Sequence, residues 1–214
     1  MTVGDVVVTK RSPAPLPFDP KGLRGLSERL IVSHHENNYA GALNNLNRVR
    51  EEIARVTKDT PAFLVAGLKE RGLTFANSVI LHEQYFANLG GDGHLDGAIE
   101  KALSHAYGAV GRWEELFRLT GLSLAGGSGW AILGLDMQDQ SLRIYWSGNH
   151  TQSLVLGYPL LVLDMYEHSY HLDYGAAAAR YIDAFFQNVN WSEVNRRLER
   201  AQEAAAALGG LHSV

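Results

Sequence analysis

The sequence predicts an α+β protein: an N-terminal antiparallel helical hairpin, then a C-terminal part with a small three-stranded antiparallel sheet and flanking helices. Two observations predict it. Apolar residues recur at threes and fours through the first part of the chain, and after Gly126-Gly127-Ser128-Gly129 the period becomes extended. The Pro-rich opening through Pro13, Pro15, Pro17 and Pro20 is expected to run extended over the surface. From Ser27 to about Val56 the stripe Ile31, Tyr39, Leu43, Leu46, Val49, Ile53 predicts a long amphipathic helix. A second helix is expected from about Pro61 to Leu89, with Phe75, Val79, His82, Phe86 and Leu89 on one stripe and Gly90-Gly91 as its stop. A turn near Lys58-Asp59-Thr60 makes the two an antiparallel hairpin.

Shorter helical patterns follow at Leu95 to His105 and Ala109 to Thr120. Trp130 to Leu135, Leu142 to Trp146 and Leu154 to Leu163 read as strands, and Tyr174 to Gln187 and Ser192 to Leu208 as closing helices, the last capped by Ser192. The expected division is residues 1–91 and residues 92–214.

Composition narrows the function classes. A chain of 214 residues with 46 % hydrophobic and 20 % charged residues can bury a large core. A formal charge of −4 without a basic run argues against nucleic acid as a partner. No apolar run is long enough for a membrane span, and Met1 to Lys10 lacks a signal-peptide core, so the default address is cytoplasmic. The absence of cysteine removes disulfide and thiolate chemistry.

The chemistry concentrates in Leu161-Val162-Leu163-Asp164-Met165-Tyr166-Glu167-His168-Ser169-Tyr170-His171, where an apolar run ends in a carboxylate with an imidazole four residues later. Asp164 can be read as a helix cap, with Glu167 three residues on, or as half of a metal-ligand pair with His168. His82 lies on the apolar stripe of its helix, where an unpaired imidazole is costly. His34 and His35 are about 100° apart on a regular helix, so one of them at most can face His82, and periodicity does not choose between them. His94, His105 and His212 read as solvated side chains. One histidine from the first helix, His82, Asp164 and His168 would form a nitrogen and oxygen set suited to iron, manganese or zinc.

The stretches Gly127-Ser128-Gly129-Trp130-Ala131, Asp164-Met165-Tyr166-Glu167-His168-Ser169-Tyr170 and Asn188-Val189-Asn190-Trp191 resemble the signature phrases of the iron/manganese superoxide dismutases. The resemblance runs over nearly the whole chain after Gly25. It implies one iron or manganese ion per subunit, held by His34, His82, Asp164 and His168, with superoxide as substrate. His34 is preferred over His35 because Asn44-Asn45-Leu46-Asn47 matches the family's helix in that register only. The resemblance also implies His150 as the outer partner of the metal-bound solvent. It makes Glu167 and Tyr170 residues that cross a two-fold interface, in a homodimer or homotetramer.

The lining departs from the family pattern. Asn38 and Tyr39 stand where the family has a histidine pair, Ala42 where it has a gate tyrosine, and Tyr166 and Ile132 where it has tryptophans. Proton delivery is then expected to use Asn38, Tyr39 or His150 with water. Asn38 is favoured because a regular helix turns it only about 40° from His34, against about 140° for Tyr39. A mononuclear oxidoreductase acting on an organic substrate with O₂ or peroxide is the alternative function on the same scaffold.

Overall fold

The computed structural model describes residues 9–152 and 155–208. The first long helix is not regular. It comprises α1 (Glu28–Ser33), a π-helical turn (His34–Tyr39) and α2 (Ala40–Ala54). Ser27 caps its start by accepting from the Leu30 amide at 3.1 Å. The π turn falls on the polar run His34-His35-Glu36-Asn37-Asn38, in which His and Asn, unlike Glu36, have modest helix propensity. Each residue there advances less than the usual 100°, so the angles expected of a regular helix do not hold. Tyr39 is carried into the core at 1 % exposure, while Asn38 is half-buried.

α3 (Ala62–Ala87) returns antiparallel, and its second half is the buried one: Val79, His82, Tyr85 and Phe86 face inward. The Pro-rich segment runs along this hairpin. Arg11 exchanges two backbone bonds with the Asn47 amide, and the Ala14 amide donates to the Tyr39 hydroxyl at 2.9 Å.

Two helices, α4 (Gly97–Tyr107) and α5 (Val110–Leu122), lead to strands β1 (Trp130–Asp136), β2 (Leu142–Ser147) and β3 (Gly157–Asp164). The order is β2-β1-β3, all antiparallel, and the register sets Trp130 of β1 opposite Asp164 of β3. β1 is buried along its whole length, consistent with its central place. Gly129 enters the sheet at φ 143°, and a β-carbon there would stand 2.2 Å from the Ser147 carbonyl oxygen, so the position requires glycine. β3 begins at Gly157, later than the expected Leu154, which lies outside the described residues, as does His212.

The chain closes with α6 (His171–Tyr174), α7 (Ala178–Gln187) and α8 (Trp191–Leu208). The single helix expected from Tyr174 is interrupted at Gly175, whose φ of 53° ends the short α6. α8 starts one residue early, and the capping side chain is Asn190, not Ser192: its Oδ1 accepts from the Glu193 amide at 3.3 Å. From α8 the buried Arg197 donates to Asn88 Oδ1 at 2.7 Å, the Leu160 carbonyl at 3.0 Å and the Gln84 carbonyl at 3.0 Å. Asn88 in turn donates to the Val162 carbonyl at 2.7 Å. One guanidinium thus ties the end of α3 to β3.

Candidate metal centre

Four elements converge at the end of the sheet. The π turn contributes His34, α3 contributes His82, β3 ends in Asp164, and the 3₁₀ turn Glu167–Ser169 presents His168. His34 Nε2, His168 Nε2 and His82 Nε2 lie 3.2, 3.3 and 3.7 Å from Asp164 Oδ2. One ligand atom from each of the four residues lies within 4.8 Å of the others. These four atoms are buried and none forms a hydrogen bond. Buried polar atoms without partners are expensive, and four of them aimed at one point are satisfied together by a cation. The residues present therefore fit a metal ion with nitrogen and oxygen preference.

Protonation states agree. Burial pushes His82 down to about 3, with the neighbouring His34 adding to it, and burial likewise lowers His34. Burial alone would raise Asp164, but His168 and His34 beside it outweigh that and hold the carboxyl well below the usual range. Neutral imidazoles and an ionised carboxylate are the forms a metal binds.

Hydrogen bonds orient two of the four residues, His82 and Asp164. His82 Nδ1 lies 2.7 Å from the Ser78 carbonyl one turn earlier, which leaves Nε2 for the metal. Asp164 Oδ1 accepts from the Tyr166 amide at 2.8 Å, a bond two residues on that precedes the 3₁₀ turn, whose own N-cap is Tyr166; the helix cap expected at Asp164 is therefore displaced. Asp164 Oδ2 stands among the three imidazole nitrogens. The Tyr181 hydroxyl donates to the Asp164 main-chain carbonyl at 2.8 Å. Phe86 stands 5.0 Å from the His34 ring and Trp130 meets His82 edge-on at 5.2 Å, as an apolar wall.

His150 stands at the edge of this group. Trp130 Nε1 donates to its Nδ1 at 3.0 Å, and its ring stacks on Tyr166 at 4.8 Å, which itself stacks on His168 at 5.4 Å. Burial lowers the His150 imidazole. Because an indole N–H is only a donor, Nδ1 must accept, and the neutral ring carries its proton on Nε2.

The remaining sequence-derived site residues fall elsewhere. Glu167 is exposed. Tyr170 is 1 % exposed within its own chain and stacks on Tyr181 at 5.3 Å, and the exposed residue that follows it is His171. Asn38 is half-buried on the π turn, and the Tyr39 ring beside it lies 6.4 Å from that of His82. His35 bonds the Ala14 carbonyl through Nε2 at 2.8 Å and lies outside the four-residue group, while His94 and His105 are exposed. Sequence reasoning missed Tyr85, 5.2 Å from His34, and the Arg197 to Asn88 tie. The inward stripe position of Tyr39 was a signal for its burial; nothing in the sequence pointed to Arg197.

Three histidines and one aspartate, drawn from a helical hairpin and the end of an antiparallel sheet, define a mononuclear metalloprotein of α+β type. Residues 95–197 match the family model described as the C-terminal domain of iron/manganese superoxide dismutases. The chain is 47 % identical over 188 residues to the iron superoxide dismutase of Cupriavidus metallidurans, covering 87 % of this chain and 95 % of that one. It is 33 % identical over 198 residues to the iron superoxide dismutase of Aquifex aeolicus, covering 88 % and 92 %. With the manganese superoxide dismutase 1 of Halobacterium salinarum the identity is 31 % over 194 residues, covering 88 % and 95 %. The chain belongs to the iron/manganese superoxide dismutase family.

Proposed function

We propose that this protein disproportionates superoxide to O₂ and hydrogen peroxide, with one iron or manganese ion per subunit held by His34, His82, Asp164 and His168. The observation that carries the reading is the convergence of four buried, unpartnered ligand atoms within 4.8 Å, in a chain of this family. The ion supplies a one-electron couple between its +3 and +2 states. Zinc has no such couple and is excluded as the working metal.

The chain's own groups do the rest. Asp164 brings an anionic ligand that favours the higher charge state, and Trp130 and Phe86 exclude bulk water. His150, with its Nε2–H set by the Trp130 bond, is placed to donate to a metal-bound solvent and so to tune the proton uptake that accompanies reduction. Asn38 and Tyr39 stand on the π turn in place of the family's histidine pair, and Asn38 with ordered water is the proposed feed to His150. With a net charge of −4, the attraction for an anion is local to this centre.

The exposed Glu167, one residue before the ligand His168, is the proposed contact across a two-fold axis, in a homodimer or a tetramer built from it. The division at Gly91 into a hairpin domain and a sheet domain is supported by the family match, which begins at residue 95. A cytoplasmic address is in keeping with a chain in which no described helix is long and apolar enough to cross a membrane.

Metal analysis of protein purified without added metal, paired with stopped-flow decay of superoxide, tests the reading. Stoichiometric iron or manganese with rapid decay is expected. Full metal occupancy with no decay above that of free metal would overturn the dismutase and leave the organic-substrate oxidoreductase.

A further inference from the structure

Three tyrosines lie with their rings against the ligand histidines, and their hydroxyls meet different partners. Tyr85, beside His34, has its hydroxyl 3.2 Å from that of Tyr181, whose own proton goes to the Asp164 carbonyl. Tyr166, stacked on His168, has the Ser128 side chain beside it. Neither partner is a base. Tyr39, with its ring 6.4 Å from His82 and 6.2 Å from Phe86, donates to the Glu83 carboxylate at 2.9 Å. Arg11 fixes that carboxylate by a 2.6 Å ion pair, and the Ala14 amide donates to the Tyr39 oxygen.

A buried phenol yields an electron readily only when its proton has an acceptor already in place, since the alternative is a phenol radical cation in a medium of low dielectric. Of the three, Tyr39 alone has that acceptor. Its ring also lines a cleft of about 220 Å³ walled by Pro15, Pro17, His35 and Phe86. That volume is below the ~300 Å³ at which drug-sized pockets begin, and suits a single aromatic ring.

We propose that Tyr39 is a one-electron donor to the metal centre, re-reduced by a small phenol in this cleft, so that the protein oxidises phenols at the expense of hydrogen peroxide. The inference rests on the dismutase reading, which supplies the peroxide. Hydrogen peroxide takes two electrons and two protons to become two waters. One electron would come from the reduced ion that His34, His82, Asp164 and His168 would hold and the other from Tyr39, whose phenolic proton passes to Glu83, while solvent provides the two protons that complete the waters. The phenol in the cleft then gives an electron to the Tyr39 radical, Glu83 returns its proton to Tyr39, and the phenol's proton leaves to solvent. Superoxide would supply the electron that returns the ion to its reduced state, leaving as O₂.

Reduced, iron-loaded protein mixed with hydrogen peroxide and freeze-quenched should show a phenoxyl radical by electron paramagnetic resonance. Tyr39→Phe should lose that signal, Tyr166→Phe should keep it, and Glu83→Gln should lower its yield. Adding guaiacol should quench the signal in the wild type and form oxidised guaiacol. A signal that persists in Tyr39→Phe, or a wild type with no phenoxyl signal, overturns the proposal. Superoxide decay measured on the same samples separates the two readings: absent decay with full iron sinks the dismutase and this inference with it, whereas normal decay without the radical sinks only the inference.

Discussion

Trp130 Nε1 donates to His150 Nδ1 at 3.0 Å, and by register Trp130 also pairs across the sheet with Asp164. A single residue thereby fixes both the tautomer of the outer histidine and the strand position from which the carboxylate ligand projects. Trp130→Phe keeps the ring and removes the donor. Superoxide turnover should fall by about 10- to 100-fold with metal content unchanged, the range seen when support of a metal site is removed. Full turnover in that variant would dismiss the tautomer argument.

Replacing His82 or Asp164 by alanine should abolish stoichiometric metal binding, because each removes one of four converging ligand atoms. His94→Ala and His105→Ala, both exposed, should retain the metal. Atomic absorption on the four purified variants decides the point, and unchanged content in both ligand variants would dismiss the site.

Glu167→Ala is expected to weaken self-association and superoxide turnover together, since an interface carboxylate beside a ligand histidine would serve both. Sedimentation velocity across a concentration series measures the first effect. A fully active wild-type monomer at micromolar concentration would contradict the interface.

Arg197→Leu should lower stability by about 3 kcal/mol, because the buried carbonyls of Gln84 and Leu160 and the Asn88 side chain lose their donor. Urea unfolding of the metal-free protein reads this directly. A change within about 0.5 kcal/mol would mean that water or a side-chain shift replaces the guanidinium.

Lowering the pH should release the metal, since three imidazoles must be neutral and one carboxylate ionised to hold it, and binding therefore expels protons. Competition with a chelator, followed as a function of pH, should show affinity falling as acidity rises. A flat profile would point to ligands other than these.

Much of the architecture was legible because the period of the apolar residues changes where the structure changes. The hairpin, the sheet after Gly129 and the closing helices all follow from it. What escaped was local. The π turn at His34–Tyr39 leaves no periodic mark in six residues, and the assumed 100° step turned Tyr39 away from the site when the chain turns it inward. Gly175 was overlooked as a break because the residues on both sides favour helix. The metal group was visible as residue types, yet the choice of His34 over His35 came from family register, as spacing alone was silent. Arg197 reads as an ordinary surface arginine of an amphipathic helix until its burial at 3 % is known.

The tie from Arg197 to Asn88 and β3 carries a consequence for biosynthesis. His34 and His82 leave the ribosome well before Asp164 and His168, and the arginine that clamps their supporting elements belongs to the last helix. Synthesis runs from the N-terminus, so the nascent hairpin displays two histidines without the rest of their set. A ribosome stalled short of α8 would hold a polypeptide with all four candidate ligands made and without the arginine that ties α3 to β3.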